Sequence, residues 1–155
     1  EILDSWKGPL RGTHDFVLPG GRAVEVKTVQ PSGTNVTIAS EDQLSFDGEL
    51  TLHICRVLDH LSPDSGRSLV SIVSDLRQGM SPSQIDKFEL LLSLEGFEDT
   101  HENAIARFFE NQGRKAYDAS AQGFPKLVQS DLPHGIHGVS YKVDLSSISD
   151  FARDE

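Results

Sequence analysis

The chain has 155 residues, a formal net charge of −10 at pH 7 and a sequence pI near 4.9. Its charged residues (25%) and hydrophobic residues (37%) occur in the proportions of a soluble globular protein, which excludes a disordered chain. No apolar run approaches the roughly 20 residues that cross a bilayer. The single cysteine, Cys55, excludes an internal disulfide and is typical of a reducing compartment. We therefore expect one cytoplasmic domain over residues 1–155, without a membrane partner.

The first seven residues predict the end of a helix, which Gly8-Pro9 closes. The chain opens on Glu1 rather than on a methionine. We therefore expect a domain that was trimmed from a longer protein and whose upstream helix is missing or partial.

The next segment predicts a β-hairpin. Two runs of strand-forming residues, His14–Leu18 and Ala23–Thr28, flank the turn sequence Pro19-Gly20-Gly21. Pairing of the two runs would place the start of the first strand beside the end of the second.

Charged side chains are expected to meet in this hairpin. Side chains alternate along a strand, so Glu25 and Lys27 share one face, while Val24 and Val26 share the other. Asp15 on the first strand can approach both charged groups. One interpretation is an exposed hairpin with an ordinary cross-strand ion pair. The other is a metal site, because two carboxylates and a backbone carbonyl suit Mg²⁺ or Mn²⁺, and a neighbouring lysine can orient an attacking water.

Two further strands are predicted after the hairpin. Thr34–Ala39 reads as a third strand, and the strongly apolar Leu50–Asp59 as a central one. Between them, Ser40 and Gln43 have the spacing of a helix capping box. Gln43 is thus either a helix-start residue or a polar group that supports the hairpin site.

Two helices follow. The first is predicted over Arg67–Gln78, capped by Asp64-Ser65-Gly66 and ended by Gly79. The second begins at Ser81-Pro82 and stops at Gly96. Both are interpreted as packing elements, with docking of a partner as the alternative.

The last third of the chain predicts antiparallel strands. Lys115–Ser120, Lys126–Ser130 and Val139–Leu145 are separated by glycine- and proline-containing turns. Ser146–Phe151 is expected to form a terminal helical turn.

The hairpin resembles the motif of the PD-(D/E)xK phosphodiesterases, because nine residues separate Asp15 from Glu25-Val26-Lys27. The resemblance extends to a bacterial family of PD-(D/E)xK-motif proteins encoded beside ATPases and methyltransferases in phage-defence and restriction-type gene clusters. The fold that it implies is α/β: a restriction-endonuclease-like core with a mixed central sheet flanked by helices, and additional antiparallel C-terminal strands. The segments that carry this wider resemblance are Ser5–Pro9, His14–Phe16, Glu25–Thr28, Val36–Leu44, Gly123–Leu127 and Gly138–Tyr141.

The resemblance also implies roles for single residues. The carboxylates of Asp15 and Glu25, with the carbonyl of Val26, would bind Mg²⁺ or Mn²⁺. Lys27 would complete the catalytic set by positioning the water. Supporting roles would fall to Gln43 and, as the acid that the superfamily often places on an upstream helix, to Glu1.

The function implied is that of a Mg²⁺-dependent DNA endonuclease in a bacterial defence or restriction system. RNA remains an alternative substrate, and a homodimer is a possible assembly. The charge of −10 is wrong for a protein that holds DNA by its overall electrostatics. We therefore expect other subunits of a defence complex to supply the grip on DNA. The alternative is a catalytically silent scaffold or recognition subunit of such a complex.

Overall fold

A computed structural model describes residues 2–153. Its strands are β1 (Phe16–Leu18), β2 (Arg22–Val29), β3 (Asn35–Ile38), β4 (Glu49–His60), β5 (Arg67–Ser68), β6 (Phe108–Asp118), β7 (Tyr141–Asp144) and β8 (Ala152–Arg153). Its α-helices are α1 (Ile2–Ser5), α2 (Leu69–Gln78), α3 (Pro82–Leu94) and α4 (Glu102–Ala106). Short 3₁₀ turns cover Gly8–Leu10, Glu41–Leu44, Gln129–Asp131 and Ser149–Phe151.

The central sheet has the strand order β1-β2-β4-β6-β5, and β8 also pairs with β6. Strands β2 and β4 run parallel, in register from Arg22 opposite Glu49 to Val29 opposite Arg56. All other pairs in this sheet are antiparallel. The predicted mixed α/β sheet is therefore confirmed, and the apolar segment predicted as its central strand is β4, which lies between β2 and β6.

A second, two-stranded sheet of β3 and β7 covers one face of the central sheet. Leu50, Leu52 and Ile54 of β4 form one hydrophobic cluster with Val36 and Ile38 of β3. The predicted third strand thus exists, but it pairs with a C-terminal strand rather than with the hairpin. This second layer is what buries the face of β2 that carries Glu25.

The helices begin close to their predicted positions. Helix α3 starts at Pro82 as expected, and the backbone N–H of Ser81 donates to Oε1 of Gln84. Helix α2 starts two residues later than predicted, because Arg67 and Ser68 pair with β6 as the short strand β5. Residues 2–153 contain no helix long and apolar enough to cross a membrane.

One predicted strand is wrong. Lys126–Ser130 forms no strand, because side chains bond its backbone amides. The N–H of Leu127 donates to the hydroxyl of Tyr141, and the N–H of Val128 donates to Oδ2 of Asp131. Strand β6 is also longer than predicted, since β4 pairs with it as far as its N-terminal residue, Phe108.

Candidate metal-dependent active site

Asp15 lies just before β1, where the hairpin pairing stops. Strand β1 pairs with β2 only from Phe16 opposite Val24 onward. Beyond this point the Asp15 side chain replaces the missing strand, because its Oδ2 accepts a hydrogen bond of 2.7 Å from the N–H of Val26. The carbonyl of Asp15 is held in turn by the N–H groups of Lys7 (2.7 Å) and Gly8 (3.2 Å). The loop after α1 thus fixes the Asp15 carboxylate at the edge of β2.

The carbonyl of Val26 points to this same edge. The N–H and C=O groups of one strand residue face the same neighbouring strand, and the N–H of Val26 faces Asp15. The carbonyl oxygen and the Asp15 carboxylate are therefore available together beside β2.

Glu25, Lys27 and Gln43 form a connected polar chain. The ammonium of Lys27 lies 2.6 Å from Oε1 of Glu25 and donates to Oε1 of Gln43 at 2.9 Å. The same oxygen of Gln43 accepts from the N–H of Ala39 at 2.8 Å. The capping-box interpretation of Gln43 is wrong, because its side chain bonds Ala39 and Lys27 and the Ser40 side chain makes no capping bond. Gln43 instead links the second layer to the hairpin lysine.

The face of β2 that carries Glu25 is the buried one. Glu25 lies opposite Leu52, and Lys27 opposite Ile54, two residues of the hydrophobic core. Only 1% of Glu25 is exposed, whereas Val26 on the other face is half-buried. Alternation along β2 had placed Val24 and Val26 on the face opposite Glu25. The second sheet nevertheless packs against the face that carries Glu25.

Burial controls the electrostatics of Glu25. Loss of solvent raises the pKa of this carboxyl, while the Lys27 ammonium and the backbone N–H of Asp15 lower it and the nearby Asp15 carboxylate raises it further. One oxygen, Oε2, is buried without any hydrogen-bond partner. A buried carboxylate oxygen without a partner is costly, so this atom is a candidate to hold a proton, a water molecule or a cation.

The donor set fits a divalent metal ion. Oε2 of Glu25, Oδ1 of Asp15 and the Val26 carbonyl are hard oxygen donors, and Mg²⁺ is commonly bound by one or two carboxylates plus water. Gly8 lies beside Asp15, because a Cβ at that position would be 3.4 Å from Oδ1 of Asp15 and from Nε1 of Trp6. Within residues 2–153 no cluster of three or more His, Cys, Asp or Glu could hold a metal. Any ion here would therefore depend on two carboxylates, one carbonyl and solvent.

Sequence reasoning missed two buried polar residues near this region. His14 packs edge-on against Phe46, with 5.2 Å between ring centroids, and burial lowers its pKa, so it is neutral near pH 7. Glu41 is buried, and hydrogen bonds from its own backbone N–H and from those of Gly138 and Val139 lower the pKa of its carboxyl. No local sequence signal marks either role, because the partners are remote in the chain. Glu1, the predicted upstream acid, lies outside the described residues.

A family model described as "Putative PD-(D/E)XK family member, (DUF4420)" matches residues 1–146. This span includes the hairpin, the 3₁₀ turn that carries Gln43, the second sheet, and every strand of the central sheet except β8. Comparisons with curated proteins and with solved structures gave no match.

Glu25→Gln should stabilise the metal-free protein at neutral pH. The folded-state pKa of Glu25 is raised above its ordinary value of about 4.5. Its contribution to stability is therefore full below that value and is lost as the pH rises through the folded-state pKa. A neutral amide removes this loss. Chemical unfolding of the EDTA-treated proteins between about pH 5 and pH 8 measures the effect.

The control is Glu98→Gln, which removes a charge from an exposed loop and should leave the pH profile of stability unchanged. Added Mg²⁺ should stabilise the wild type but not Glu25→Gln. If Glu25→Gln is less stable than the wild type at pH 7–8 without metal, the prediction that ionisation of Glu25 destabilises the fold is contradicted.

Proposed function

Because the chain belongs to this PD-(D/E)XK family, as its sequence resemblance predicted, we propose that it is a Mg²⁺-dependent (or Mn²⁺-dependent) nuclease domain. It would hydrolyse DNA phosphodiester bonds in a bacterial defence or restriction system. The observation that carries the proposal is the unpartnered Oε2 of Glu25, which lies in one polar cluster with Asp15 and Lys27. Stability alone explains such a group poorly, because a neutral side chain would avoid the free-energy cost of burying a charge.

The metal ligands would be Asp15, Glu25 and the carbonyl of Val26. When bound, the ion would polarise the phosphodiester and lower the pKa of an attacking water. The N–H of Val26 would orient Asp15 through Oδ2, and the second oxygen, Oδ1, takes no part in this hydrogen bond. The contact to Lys27 would favour the ionised form of Glu25, which opposes the effect of burial on its pKa.

Lys27 would orient the water and stabilise charge that develops on the phosphate. The Lys27 side chain is 17% exposed, and two oxygens hold its ammonium in place. Gln43 would act as a positioning residue. The N–H of Ala39 fixes the Gln43 oxygen, and that oxygen fixes the lysine.

A catalytically silent scaffold or recognition subunit is the second candidate function. It is favoured by the charge of −10 and by exposed leucines on α2 and α3. These are Leu76, Leu90 and Leu94, each at least 50% exposed. Under this candidate the isolated chain cleaves nothing, co-purifies with neighbouring gene products, and supports defence even when Asp15 and Lys27 are both replaced by alanine.

Lys27→Ala should abolish cleavage. We expect the rate to fall by a factor of about 10²–10³, as for loss of one transition-state donor. The fold and much of the metal affinity should remain, because this variant keeps all three proposed metal ligands. The assay uses plasmid DNA, single-stranded DNA and RNA with Mg²⁺, Mn²⁺ or EDTA. Lys142→Ala, at an exposed position of β7, is the matched control, and wild-type cleavage by Lys27→Ala would refute the assignment.

Gln43→Leu should slow cleavage by about 10- to 100-fold, the range for loss of an outer-shell partner. The change should fall on kcat rather than on KM, because Gln43 would hold the lysine and not the substrate. Circular dichroism and Mg²⁺ titration should match the wild type. Gln78→Leu, at the exposed end of α2, serves as the control. Equal kcat values for Gln43→Leu and the wild type would remove Gln43 from the mechanism.

A further inference from the structure

A second polar pocket lies away from the Asp15 edge, and the charged residues that line it within residues 2–153 are all cationic. Its volume is about 600 Å³, and it opens between the central sheet and the start of β3. Three cationic residues line it: Arg56, Arg114 and Lys115. No aspartate or glutamate of the described residues lines it. Cations are thus segregated locally in a protein whose formal charge is −10.

Arg56 is rigidly placed in this pocket. Its Nη1 donates to the carbonyls of Pro31 at 2.6 Å, Gly33 at 3.0 Å and Gln30 at 3.4 Å. These hydrogen bonds tie the guanidinium to the loop between β2 and β3. A guanidinium has five N–H donors, and those on Nε and Nη2 take no part in these bonds. A fixed fork of donors suits bidentate binding of an oxyanion.

Lys115 supplies an exposed charge at the same pocket. Its ammonium lies 5.9 Å from the ring centroid of Tyr117. The neighbouring Gly113 has a φ of 122°, and a Cβ there would meet no atom within 4 Å, so the backbone at this rim is open. The rim can therefore admit a ligand as bulky as a phosphate.

The pocket is in the same row of the sheet as the candidate catalytic lysine. Lys27 lies opposite Ile54, and Ile54 lies opposite Lys115. Adjacent strands are about 4.8 Å apart, so the backbones of Lys27 and Lys115 are about 10 Å apart. One strand of B-form DNA places a phosphate roughly every 3.4 Å along its axis. This separation corresponds to about three nucleotides.

We propose that the pocket of Arg56 and Lys115 binds a phosphate group. In the substrate complex this group is a backbone phosphate of the nucleic-acid strand, within about three nucleotides of the cleaved bond. The choice of this source rests on the proposed nuclease function. The shared chemistry also admits free phosphate as the ligand, and the test separates the two.

The test measures binding without cleavage. The full chain in EDTA is titrated with a fluorescent single-stranded oligonucleotide at several salt concentrations between about 50 and 200 mM. Loss of one phosphate contact should reduce the slope of log affinity against log salt by about 0.7 in Lys115→Gln. Lys142→Gln, which removes an equal charge from β7, should keep the wild-type slope. Arg56→Lys keeps the charge but loses the fork, and should also weaken binding.

A parallel titration with inorganic phosphate, followed by ³¹P NMR, identifies the source. A slope of log affinity against log salt that is reduced in Lys115→Gln, but not in Lys142→Gln, supports the nucleic-acid assignment. Phosphate binding that Lys115→Gln abolishes, with an unchanged oligonucleotide slope, supports the phosphate site and overturns its nucleic-acid source. Wild-type behaviour of Lys115→Gln in both titrations overturns the proposal. Because no metal is present, an inactive nuclease would not alter any of these outcomes.

Discussion

Burial of the Glu25 carboxylate is the constraint on which the rest of this structure depends. The second sheet closes over the face of β2 that carries Glu25, and leaves 1% of the residue exposed. Lys27 satisfies one oxygen, and nothing in the described residues satisfies the other. A fold selected for stability alone would favour an apolar side chain at this position. The cation that we propose would complete the site.

The surrounding elements serve to hold this group. The loop after α1 fixes the backbone of Asp15, and the open edge of β2 receives its carboxylate. The 3₁₀ turn of the second layer brings Gln43 to Lys27. Each contact joins segments that are distant in the chain, so the site exists only when both sheets have formed. Unfolding of the second sheet would therefore also disrupt the site.

Local sequence patterns predicted much of the fold. The Pro-Gly-Gly turn, the apolar run of β4 and the Ser-Pro start of α3 each predicted an element correctly, because turn chemistry, hydrophobicity and capping act within a few residues. The strand expected at Lys126–Ser130 failed, because Tyr141 and Asp131 capture its amides. No local pattern reveals such remote partners. For the same reason, alternation along β2 separated its two faces but could not say which one the second sheet would bury.

The net charge likewise could not show how the charges are distributed over the surface. A sum of −10 argues against nucleic-acid binding, yet it does not describe where the cations lie. Strand pairing places Lys115 in the same row as Lys27, and the loop after β2 anchors Arg56 nearby. None of the aspartates and glutamates within residues 2–153 lines that pocket. Local electrostatics can thus favour a phosphate while the whole surface remains acidic.

The most direct measurement of the central claim is anomalous diffraction from crystals of the full chain grown with Mn²⁺. The account predicts one strong peak within coordination distance of Oε2 of Glu25, Oδ1 of Asp15 and the Val26 carbonyl. Density that shows these three oxygens without an ion at saturating Mn²⁺, or an ion bound only elsewhere, would contradict it.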